Sequence, residues 1–128
     1  MKYMLLIYGN EEAFSSVGAE SLAEIIRETD ALNQELFESG ELVGAYGVAD
    51  QVNAKVVRVT GGTPVVTDGP YAETEEVLAG YWLVDCDGFD RATEIAARLT
   101  TCPGPEHVRD RAYVDVRPVA ESRAELEP

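Results

Sequence analysis

The residues best placed to do chemistry gather around one short stretch, Asp68-Gly69-Pro70-Tyr71. A carboxylate beside Gly-Pro stands on a stiff turn, where it can serve a pocket as general base or as hydrogen-bond acceptor. The same residues suit an Asx-turn equally well, in which Asp68 bonds its own backbone and does no chemistry. Tyr71 follows, either to pack or to offer its hydroxyl to the same pocket. His107 is the one histidine, so any imidazole catalysis would have to use it. It follows the loop sequence Pro103-Gly104-Pro105-Glu106, where a solvated side chain is the plainer reading.

A second set of candidates consists of charges inside apolar runs: Arg58, Asp85, Asp115 and Arg117. Asp115 and Arg117 share a strand face by the period of two, and a charge taken out of water must be paired or hydrated. One reading is a polar cleft in which Arg58 or Arg117 holds a small anionic or polar ligand that Tyr81 helps to orient. The other is ion pairing across a dimer. No metal or cofactor is expected. Two cysteines, Cys86 and Cys102, match no zinc spacing, and Glu73, Glu75 and Glu76 suit a solvated acidic surface as well as a cation. Gly61-Gly62 has no helix after it and so is no phosphate loop.

The elements that must position these residues follow from periodicity. Residues 2–8 form a strand that is apolar on both sides, with Tyr3, Leu5 and Ile7 alternating with Met4, Leu6 and Tyr8. Ser21 to Ser39 predicts an amphipathic helix with a capping box at Ser21 and Glu24, an apolar face of Leu22, Ile25, Ile26, Leu32, Leu36 and Phe37, and a stop at Gly40. Residues 42–48, 55–60 and 64–67 read as strands, the last two as a hairpin about Gly61-Gly62. Residues 80–86 form a strand carrying the chain's one Trp. A second helix spans 89–99 with Asp87 as its cap, and 113–119 is the closing strand. Residues 120–128 are a polar tail, expected to fray. The order predicts one α+β domain over 1–119, ferredoxin-like βαββαβ with an inserted hairpin. Helices on one sheet face leave the other bare. Because the first strand is apolar on both sides, a homodimer through facing sheets is expected, the competing explanation being a C-terminal segment folded across the sheet within the same chain.

Composition excludes several partners. With 24 acidic and 10 basic side chains the formal net charge is −14, which repels phosphate backbones and anionic membrane surfaces alike. Direct nucleic-acid and membrane binding are therefore not expected. The first residues lack a signal peptide's middle region, no run approaches a membrane span, and a cytoplasmic protein follows.

The stretch Thr67 to Thr74, then Gly80-Tyr81-Trp82-Leu83-Val84-Asp85, resembles the YCII-related superfamily. More narrowly it resembles the branch named for its Asp-Gly-Pro-Phe motif, with Tyr71 in place of Phe. The opening strand and Val114 to Val119 are similar to that branch too. The resemblance implies a ferredoxin-like dimer of the α+β barrel type, and an association with extracytoplasmic-function sigma factor systems. Some wider relatives resemble enzymes using a His-Asp pair with the His on the first helix. Here that helix has no His, and Asp30 stands about where one is sought, so the pair is not carried over. Three functional expectations result: a small-molecule-binding homodimer, a non-catalytic regulatory module beside a sigma factor, or a cofactor-free acid-base enzyme with Asp68 as base.

Overall fold

The computed structural model describes residues 1–69, 76–100 and 110–126. Its centre is strand β1 (Lys2–Gly9), followed by a short helix α1 (Glu11–Ser15), the long helix α2 (Ala19–Glu38) and strand β2 (Leu42–Gly47). A hairpin of β3 (Lys55–Thr60) and β4 (Thr63–Asp68) precedes β5 (Val77–Asp85), α3 (Phe89–Thr100) and β6 (Tyr113–Pro118). The main sheet has the order β2-β5-β1-β6, while β3 and β4 form a sheet of their own. All three pairings in the main sheet are antiparallel. This is the ferredoxin-like arrangement of two interleaved βαβ units, with the hairpin inserted between β2 and β5.

Helices α2 and α3 cover one face of the main sheet. On β1 that face is Tyr3 and Leu5, which pair with Val84 and Trp82 of β5. Tyr3, Leu5 and Val84 are essentially inaccessible, and they join Leu32 and Leu36 of α2 and Ala92, Ile95 and Ala96 of α3 in a single core. Cys86 belongs to that core, where burial pushes its thiol above the ordinary range. The inward stripe of α2 runs Leu22, Ile25, Thr29, Leu32, Leu36, alternating steps of three and four, with the first three half-buried and the last two buried. Ile26 and Phe37, placed on this face by sequence, are instead exposed at 51% and 67%. Each lies one position, about 100°, past a stripe residue.

Three details of the elements differ from the sequence reading. Helix α2 begins at Ala19 with Gly18 at its cap and no side-chain capping bond, so Ser21 lies inside the helix rather than at its start. Ala19 is a strong helix former and Glu20 suits the positive end of the dipole, so the helix extends back to Gly18. Helix α1 is additional: the Asn10 side chain accepts a 2.8 Å bond from the Ala13 amide and caps it. The polar tail contains a 3-10 turn at Arg123–Glu125 held by a capping box between Ser122 and Glu125.

The end of α2 sets the most buried ion pair. Gly40, at φ +80°, lets Gly40 N–H reach Phe37 C=O and Glu41 N–H reach Leu36 C=O, a Schellman motif. That turn aims Glu41 at α3, where Arg91 Nε and Nη2 each donate to one carboxylate oxygen at 2.8 Å. Arg91 Nη1 also donates to Glu94 at 2.6 Å, and Ser39 Oγ to Glu41 at 2.8 Å. The Glu41 side chain is 17% exposed. The bidentate guanidinium holds its carboxyl down at about 2, against an ordinary 4.5.

The sign of the linkage follows. A depressed carboxyl stabilises the fold above its unfolded value near 4.5, and that contribution is lost as pH falls through about 2. Glu41→Gln is expected to cost about 2 kcal/mol of unfolding free energy at pH 7. Its deficit against the parent should shrink between pH 5 and pH 2 in denaturant titrations. A deficit of constant size over that range would contradict the ion-pair account.

The hairpin foot is pinned by close backbone contact. A Cβ at Gly69 would stand 2.2 Å from the Gln51 carbonyl oxygen, and Gly69 N–H donates to Ala54 C=O at 2.8 Å. Gly69→Ala must push this backbone apart, so it is expected to destabilise by about 1–3 kcal/mol. Chemical denaturation checks this, and an unchanged midpoint would contradict the close approach.

Candidate functional site

The sheet opens a cavity at the end where β1 leaves it. Ladder pairing shifts between Ile7 and Tyr8, which pair with Gly80 and Leu78, so Ala79 is the extra residue of a bulge in β5. The residues facing the helices here are small on two strands, Gly80 and Gly47, and Gly80 admits no side chain: a Cβ there would lie 2.7 Å from the Tyr46 carbonyl oxygen. Helices α2 and α3 therefore receive no side chain from these two positions at this end. The result is a space of about 550 Å³.

Its wall is mostly apolar. Ile7, Trp82 and Val114 line the sheet side, Ile25 and Leu99 the helix side, and Phe14 of α1 and Val48 after β2 stand at the end. Polar groups are few: Asn10, Ser15, Thr29, Asp50 and Thr100; Tyr8 and Tyr113 also border the space, although their ladder positions put their side chains on the sheet face of Leu6 and Asp115. Several hold backbone at the same time. Asp50 accepts from the Val52 amide at 3.0 Å, and the Thr100 hydroxyl donates to Ala97 C=O at 2.8 Å. Trp82, part of the wall, donates its indole N–H to Asn33 Oδ1 of α2 at 2.7 Å, which fixes the ring. Tyr8 and Tyr113 stack at 5.0 Å. Partial desolvation and then the Asp115 carboxylate push the Tyr113 phenol above its ordinary range.

Among the described residues, the opposite face of the main sheet carries no helix. There Met4 and Leu6 of β1 are flanked by Leu83 and Tyr81 of β5 and by Arg117 and Asp115 of β6. Tyr46 of β2 packs against Tyr81 at 5.3 Å and lays its ring over Gly44, whose added Cβ would meet it at 2.8 Å. Tyr46 is 57% exposed.

The sequence candidates are thus divided among different places. Tyr81, Asp115 and Arg117 share the bare sheet face. Arg58 lies in the hairpin opposite Val65. Asp68 ends β4 opposite Lys55, whose Nζ donates to its carboxylate at 2.7 Å. That carboxylate is 73% exposed and is not part of the cavity wall. Asp85 pairs with the amino terminus at 3.2 Å. Asp30 is exposed on α2, one residue past the cavity-lining Thr29. Tyr71, His107, Cys102, Glu73 and Glu75 lie outside the described residues. Among the described residues no cluster of His, Cys, Asp and Glu could hold a metal ion, and no helix is long and apolar enough to cross a membrane.

Sequence reasoning missed the cavity itself, along with Asn10, Thr29 and Asp50. One signal was available: Thr29 interrupts the apolar stripe of α2 at a position due to face the sheet.

Comparison with known proteins bears on the whole chain. A protein of Rhizobium meliloti (strain 1021), named only as uncharacterized, is 32% identical over 100 residues, which is 78% of this chain and 81% of the relative. The family model described as the YCII-related domain matches residues 1–116. The family match runs from β1 into β6 and takes in α2, α3 and every cavity-lining residue, and the chain belongs to the YCII-related family.

Proposed function

We propose that the chain is a small-molecule-binding homodimer whose ligand occupies the cavity at the end of β1. The observation that carries this reading is the cavity, whose volume of about 550 Å³ suits a metabolite-sized compound. Its chemistry selects among ligands. Asp50 is the charged side chain in the described wall, which contains no Lys or Arg. A neutral or cationic compound with an apolar, ring-sized body and one or two polar groups fits that wall. An anion would meet a carboxylate in a chain of net charge −14. Arg58 and Arg117, the expected anion holders, stand on the hairpin and the bare sheet face.

Binding without chemistry is the favoured form of this reading. Asp68, the expected general base, is paired with Lys55 at the hairpin foot, and Asp50 is engaged in a backbone cap. A place in the Asp-Gly-Pro-Phe branch rests on Asp68-Gly69-Pro70-Tyr71, and a role beside a sigma factor rests on that resemblance.

The dimer is supported by the bare sheet face. Met4, Leu6 and Leu83, each half-buried, form an apolar strip with aromatic Tyr81 and Tyr46 beside it, on a sheet whose other face carries α2 and α3. A second copy seated there removes the strip from water. Sedimentation velocity is expected to show a dimer that Leu6→Glu converts to monomer. A monomeric parent chain at micromolar concentration would contradict the dimer.

Trp82 is the chain's one tryptophan, so its emission reports on the cavity without labelling. Benzyl alcohol and benzylamine are expected to change that emission saturably, with benzoate at least about tenfold weaker because of Asp50. Thr29→Phe, which fills the space, should abolish the response. Absence of a saturable change with any of the three probes, or an unaltered response in Thr29→Phe, would contradict the cavity site.

A further inference from the structure

We infer that the β3–β4 hairpin is an arm that packs on a second copy of this chain, extending the contact made by the bare sheet face; this rests on the dimer reading above. The hairpin is sorted into two unlike sides. Its ladder places Val57 opposite Val66 and Val59 opposite Pro64 on one side. The other side carries Val56 opposite Thr67, Arg58 opposite Val65 and Thr60 opposite Thr63, with Val56 half-buried. Val57, Val59 and Val66 are 63%, 71% and 58% exposed. Neither strand pairs with the main sheet. A lone two-stranded hairpin is marginal in water, and an uncovered apolar ribbon invites association. The backbone closure at Gly69 and the Lys55–Asp68 pair fix only its foot.

Charge points to another copy as the occupant. The apolar side of the hairpin carries Lys55 and Asp68, which pair and cancel, so it is neutral in a chain of −14, while Arg58 stands on the other side. On the bare sheet face Asp115 and Arg117 balance. Two strongly acidic copies repel least where these surfaces meet.

Area agrees. A four-stranded face of six-residue strands offers on the order of 400 Å² in projection. That falls short of the roughly 800 Å² per partner of a stable interface. A hairpin face from each subunit adds on the order of 200 Å², and side-chain relief supplies much of the remainder.

The test compares two doubly substituted chains by sedimentation equilibrium. Val57→Lys with Val59→Lys places charge on the apolar side. Thr60→Lys with Thr67→Lys places the same charge on the other. The first is expected to weaken the dimer by at least about 100-fold, the second by only a few-fold. Hydrogen exchange of residues 55–68 supplies a second reading that needs no change in the hairpin. Leu6→Glu, in the other sheet, is expected to speed hairpin exchange by at least about tenfold by releasing the partner. A dimer in which the two Lys pairs have equal effects, or hairpin exchange unmoved by Leu6→Glu, overturns the arm and leaves the sheet-to-sheet dimer standing. A monomeric parent chain overturns both.

Discussion

Strand β1 imposes the constraint on which the rest of the structure depends. It is one of the two inner strands of the main sheet, paired with β5 on one side and β6 on the other, and its side chains are apolar on both faces. The first face is satisfied within the chain. Tyr3 and Leu5 are sealed by α2 and α3, and that burial organises the core. Leu5 alone, fully inaccessible, represents roughly 1.5–3 kcal/mol of transfer free energy. Met4 and Leu6, half-buried, receive no cover from the crossover helices, which are both committed to the opposite side.

The same strand explains where the cavity lies. Helices α2 and α3 pack closely where the sheet presents Tyr3, Leu5, Val84 and their neighbours. Toward Ile7 the bulge and the two glycines, Gly47 and Gly80, withdraw side-chain volume from beneath the helices. The helices are held at their spacing by contacts elsewhere, among them Arg91 bridging Glu41 and Glu94, and Arg98 on Glu35. The space therefore does not collapse. A rigid frame with a locally emptied layer is a sound physical basis for a ligand site, since little ordering cost remains to be met on binding.

Much of this fold was legible in the sequence because its signals are local. The dual apolarity of residues 3–8, the steps of three and four along α2, and the double glycine at 61–62 each specify an element. The hairpin even contained its own register. A turn centred on Gly61-Gly62, both at positive φ, places residues whose numbers sum to 123 opposite each other. That pairs Asp68 with Lys55, and the same arithmetic would have weakened Asp68 as a free general base. The start of α2 was less legible, because Ser21 and Glu24 imitate a capping box while Ala19 and Glu20 favour helix just ahead of it. The cavity was not legible. Its wall comes from segments scattered over the chain, and each contributes residues that are ordinary for the element in which they occur. Only the packing of these segments creates the vacancy, and that is a property of the assembled layers rather than of any spacing.

The central claim is that the second face of β1 is covered by another copy of the same chain. Isotope-filtered nuclear Overhauser measurements on a mixture of carbon-13-labelled and unlabelled chains address it most directly. The account predicts intermolecular contacts from the methyl groups of Met4, Leu6 and Leu83. None should arise from Leu32 or Ile95, which are sealed beneath the helices. Strong intermolecular contacts absent from Met4, Leu6 and Leu83, at concentrations where the chains are associated, would contradict it.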